Sequence, residues 1–111
     1  MTHSPPAVLI YSTVPDLLLA KRIAHVLVED RLAACVNLSA QGLSIYMWQD
    51  TLEGSEEITL TIKTSSQAQQ ACMDKLLSLH PYDVPEIIVL PIIGGHPEYI
   101  QWIAEQTTPT L

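Results

Sequence analysis

The clearest periodicity in the chain lies between positions 57 and 63. Ile58, Leu60 and Ile62 alternate there with Glu57, Thr59, Thr61 and Lys63. A period of two sends successive side chains to opposite faces, so this stretch predicts a strand with one buried face. Leu43, Ile45 and Met47 alternate in the same way with Ser44, Tyr46 and Trp48. The polar stretch QDTLEGSE (49–56), which contains Gly54, predicts the end of a hairpin running from about 41 to 64. LAACVNLS (32–39) starts the strand that leads into it, with a bend permitted at Gln41 and Gly42. Two further segments are apolar without alternating: AVLIYSTV (7–14), and the run from Glu86 to Ile92. Continuous apolar runs of that length predict strands covered on both faces.

Elsewhere the period is helical. Pro15 and Asp16 suit the first turn and the positive dipole end of a helix. Leu19, Ile23, Val26 and Leu27 then recur on one side, leaving Lys21, Arg22, His25, Glu29 and Asp30 outside. Ser65 or Ser66 is placed to cap a second helix, with Ala68, Cys72, Leu76 and Leu79 as its buried stripe and Pro81 as its stop. Gly94 and Gly95 end the last strand, and His96-Pro97 opens a short helix with Tyr99, Trp102 and Ile103 expected inward.

The order βαββαβα predicts an α+β, ferredoxin-like sandwich: an antiparallel sheet with its helices on one face. A single domain is expected over 7–106, between tails at 1–6 and 107–111. The second sheet face should then be polar. Yet neither Val8, Leu9 and Ile10 nor Ile87, Ile88, Val89 and Leu90 alternate. Packing between subunits is the economical cover, with the long hairpin as the arm and Tyr46 and Trp48 as interface anchors.

Composition supports that inference: 48% of the 111 residues are apolar and only 15% charged. So greasy a small chain is expected to bury surface against another copy. Five Lys and Arg against twelve Asp and Glu give a net charge of −7, which disfavours nucleic acid as a partner. The N-terminal stretch has neither a positive region nor an apolar run long enough for a signal peptide or membrane span, so the chain reads as cytoplasmic. Cys35 and Cys72 read as small buried hydrophobes, their pairing left open. His3, His25, His80 and His96 are scattered, with no HxxxH or CxxC spacing that would mark a strong metal motif. No Gly-rich phosphate loop and no G-x-S-x-G elbow occurs, so catalysis is not expected.

One short stretch gathers polar chemistry: HPYDVPE, 80–86. Its candidates for a metal site are His80, Asp83 and Glu86. His80 either caps the last carbonyls of the preceding helix or contacts a ligand. Glu86 is either bonded to backbone N–H groups or lies in a cleft between subunits.

STVPD, RLAACVN, YMWQDTLEGSEE, TIKT, HPYDVPEIIVLPI and YIQWI together resemble the CutA family, the divalent-cation tolerance proteins, over about residues 8–105. The resemblance implies a ferredoxin-like homotrimer packed through long hairpins, and a role in tolerance of copper or other divalent cations. Animal relatives have been linked to anchoring or processing of an acetylcholinesterase. Ligands proposed in some relatives are a Cys after the first strand, a His before the HPY and the Glu of PE. Here Ser12 and Leu79 stand at the first two positions and only Glu86 remains. The thiolate and imidazole that suit copper best are thus missing. A second expectation is a trimer in the manner of the PII proteins, holding a small molecule or protein where Ser12, Glu86 and Trp48 meet between subunits.

Overall fold

The computed structural model describes residues 6–108. Apart from Pro6, the tail expected over 1–6 lies outside them, as do residues 109–111 of the C-terminal tail. The elements are β1 (Ala7–Val14), α1 (Leu17–Glu29), β2 (Cys35–Leu38), β3 (Gly42–Trp48), β4 (Thr51–Ser65), α2 (Gln69–Leu79), β5 (Ile87–Ile92) and α3 (Pro97–Gln106). This is an α+β fold in which every strand pairing is antiparallel. The sheet runs β2-β4-β1-β5, and β3 pairs with β4 off that path. The strand expected to bend near Gln41 is β2 and β3, interrupted at 39–41. β4, 15 residues long, joins both parts: its outer half pairs with β3 and its inner half with β1 and β2.

Register decides which residues meet. Ile10 lies opposite Ile62 and Val89, and Ser12 opposite Leu60 and Ile87. Val8, Ile10, Val14, Ile58, Leu60 and Ile62 therefore share one face and pack on Ala20, Ile23 and Leu27 of α1 and Cys72 and Leu76 of α2. Asp16 starts α1 as expected, accepting the Leu19 N–H at 2.8 Å.

The helices are not confined to one face. α3 lies on the other, where Ile103 and Ile100 pack with Ala7, Ala34 and Ile92. The small side chains of Ala7 and Ala34 let the helix approach there. Thr107, expected in the tail, is buried with its hydroxyl 2.8 Å from Ser65 Oγ. α3 covers only one end of this face. Ile88 and Leu90, 48% and 44% exposed, are left open beside it.

Three local expectations change. The hairpin turns within the expected 49–56 stretch but at its very start, at Gln49 and Asp50 with φ of 49° and 65°, and Gly54 takes no part in the turn. Positive φ at both central residues matches the twist of the flanking strands, so pairing resumes at Thr51 and Gly54 lies mid-strand opposite Ile45. Ser65 belongs to β4; its Oγ accepts the Ala68 N–H at 3.2 Å and closes a turn before α2. Tyr99 and Trp102 remain 41% and 37% exposed, their rings 5.4 Å apart, because α3 rests on the sheet through Ile100 and Ile103. The Lys63 Nζ sits 5.6 Å from the Tyr99 ring centroid.

Candidate functional site: an acidic, aromatic cleft

The HPYDVPE loop follows α2, and its first residue sets its course. His80 is buried, its Nε2 2.8 Å from the Thr13 carbonyl oxygen and its Nδ1 3.2 Å from the Tyr82 backbone nitrogen. Its backbone N–H caps the Leu77 carbonyl at 3.3 Å, but its ring caps no carbonyl of the helix and instead ties the loop to the end of β1. With both nitrogens engaged, it presents no free donor atom to a ligand.

The tether brings Tyr82 back against β4. Its hydroxyl donates to Glu57 Oε2 at 3.3 Å, and its ring lies 4.8 Å from that of His80. Glu57 is only 9% exposed. Burial, then the negative charge of Glu57 and the hydrogen bond to it, push the Tyr82 phenol above its ordinary range.

Between this loop, the end of β1 and the hairpin, from Glu57 at its root to Trp48 beside its turn, opens a cleft of about 880 Å³. Glu53 and Glu57 reach it from β4, and Asp83 and Glu86 from the loop. Tyr46, Trp48 and Tyr82 supply aromatic walls, and Ile45 and Val84 apolar ones. No Lys, Arg or His lines it among the described residues.

Of the candidates read from sequence, Asp83, Glu86, Tyr46 and Trp48 come together here. His80 does not join them, since its nitrogens point into the protein. Ser12 does not either: it faces the helix-covered core, while the neighbouring Thr13 reaches the cleft. Among the described residues no group of three or more His, Cys, Asp and Glu is close enough to hold a metal ion. Cys35 and Cys72 are free thiols. The unforeseen members are Glu53, Glu57 and Tyr82. The signal for Glu57 was its phase, since it shares the sheet face of the uncovered Ile88 and Leu90 and not an all-polar one.

A small antiparallel α+β chain with a long hairpin and an acidic, aromatic cleft along it defines a recognisable class. The family model of the CutA1 divalent ion tolerance protein matches residues 8–106. The Divalent-cation tolerance protein CutA of Pectobacterium atrosepticum is 44% identical over 97 residues, covering 87% of this chain and 88% of that protein. The crystal structure of CutA from Xylella fastidiosa superposes with a TM-score of 0.91 at 43% identity, over 93% of this chain and 99% of that one. The periplasmic divalent cation tolerance protein CutA of Archaeoglobus fulgidus superposes with a TM-score of 0.88 at 35% identity, over 92% and 99%. The chain belongs to the CutA1 divalent ion tolerance family. Among the described residues no helix is long and apolar enough to cross a membrane.

Proposed function

We propose that this chain acts in divalent-cation tolerance as a ferredoxin-like homotrimer that holds divalent cations weakly through its cleft carboxylates. One observation carries the reading: Glu53, Glu57, Asp83 and Glu86 converge on a cleft that no basic side chain lines among the described residues. Binding is weak because these oxygens are too dispersed to form a closed ligand shell. An all-oxygen site favours hard cations over copper, which prefers nitrogen and sulfur. The open Ile88 and Leu90 and the exposed Leu43, Ile45, Met47 and Leu52 of the hairpin support the trimer, since such surface calls for a partner. No catalytic role is assigned, and the cytoplasm is the proposed location, although the Archaeoglobus fulgidus relative is named periplasmic.

Light scattering with calorimetric titration of Mn(II), Zn(II) and Cu(II) tests this. A trimer mass and saturable uptake that Glu86→Gln weakens support it. A monomer, or no uptake, contradicts it.

A second reading has its own observation. The aromatic wall and a volume suited to an organic molecule favour a small-ligand site of the kind PII-type trimers carry between subunits.

A further inference from the structure

We infer that the cleft takes a linear aliphatic polyamine, a chain of methylenes carrying two or more ammonium groups. The inference rests on the small-ligand reading of the cleft and names its ligand class.

Three features of the cavity select the ligand. Its charge is of one sign: Glu53, Glu57, Asp83 and Glu86 line it with no basic residue opposite among the described residues. Phosphorylated ligands, nucleotides included, are therefore repelled. Spacing comes next. The carboxylates are spread along about 880 Å³ of cavity and do not converge on one point, as an ion's ligands must. Separated carboxylates match ammonium groups separated by a hydrocarbon chain. Finally, Tyr46, Trp48, Tyr82 and Val84 offer the surfaces that methylenes and ammonium groups seek, since aromatic faces attract cations.

Glu57 adds an independent pointer. The residue is only 9% exposed, no Lys, Arg or His lines the cleft beside it among the described residues, and its carboxylate accepts a 3.3 Å hydrogen bond from the Tyr82 hydroxyl. A buried charge left without a counter-charge is rare in a folded chain. The cleft side is where a cation can reach it.

Trp48 reports the event. In a Trp102→Phe background the assembled protein is titrated with spermidine at low salt and neutral pH. A neutral diol of similar length serves as one control and Mg(II) at matched ionic strength as another. The expected result is a saturable change in Trp48 emission at spermidine concentrations well below those at which Mg(II) has an effect, with none from the diol, and weakened roughly tenfold or more by Glu57→Gln. The exposed Asp83→Asn variant, which leaves the buried wall intact, is expected to weaken it as well, and added salt to reduce it.

A response to the diol equal to that for spermidine overturns the polyamine while the small-ligand reading stands. A spermidine response no stronger than that of Mg(II) also overturns it. No response to any organic probe overturns both, including the case in which a second copy of the chain already fills the cleft.

Discussion

His80 Nε2 lies 2.8 Å from the carbonyl oxygen of Thr13, 67 positions earlier in the chain. A carbonyl only accepts and the Tyr82 amide only donates, so the ring is the Nε2–H tautomer, donating to Thr13 and accepting from Tyr82. One side chain thus joins β1, the end of α2 and the cleft loop. His80→Ala leaves a buried carbonyl unpaired and a cavity beside it, an expected loss of about 2–4 kcal/mol. Denaturant unfolding of the assembled protein checks this; a loss below about 0.5 kcal/mol, the level of an inert surface change, rules the tether out.

Glu57 and Tyr82 separate stability from function. Glu57→Gln keeps an acceptor for the phenol and removes a buried, uncompensated charge, so it is expected to be neutral or to stabilise by about 1 kcal/mol. Tyr82→Phe removes the hydroxyl that donates to that charge and is expected to destabilise by about 1–2 kcal/mol. In a double-mutant cycle Tyr82→Phe should cost less when position 57 is Gln. Equal costs in both backgrounds would show that the 3.3 Å contact carries no energy.

Ser12 gives a prediction of opposite sign to most core substitutions. Its Oγ is buried with no hydrogen-bond partner, in the centre of the helix-covered face. Ser12→Ala removes that unpaired hydroxyl and leaves only a small gap, an expected gain of about 1 kcal/mol read from thermal unfolding. A loss would mean that the hydroxyl has a partner, such as a buried water.

Cys72 sets an alkaline limit. Burial pushes its thiol from an ordinary 9.0 to about 12. Between those values the unfolded chain has lost the proton that the folded chain keeps, so stability falls as pH rises through this window. The full effect is on the order of 4 kcal/mol. Cys72→Ala is expected to be less stable at neutral pH but to decline less from pH 9 to 11. Parallel pH profiles for the two proteins would contradict the assignment.

Legibility in the sequence followed the range of the forces involved. The alternation from Glu57 to Lys63 became the inner half of β4, and AVLIYSTV became β1 with the expected bounds. Periodicity is local and survives in a single chain read alone. The turn fell inside the expected 49–56 stretch, but its position within it was not legible, because Gln49 and Asp50 adopt positive φ without the Asn-Gly pair that usually marks it, while Gly54 lies inside the strand. α3 was misplaced because ten residues do not say which sheet face has room; Ala7 and Ala34 decide that from a distance. Asp83 and Glu86 were legible as a cluster because one loop carries both. Glu53 and Glu57 were not, since only the antiparallel pairing of β4 with β1, and the His80 tether, bring them to that loop.

Cations are expected to enter this cleft in preference to the rest of an acidic surface. Paramagnetic broadening of amide signals by Mn(II), followed by NMR on the assembled protein, measures that directly. The expected result is broadening at low Mn(II) centred on Glu53, Glu57, Asp83 and Glu86, and reduced by Glu86→Gln. Broadening centred instead on Glu29 and Asp30 or on Glu98 and Glu105, or spread evenly over the chain, would contradict it.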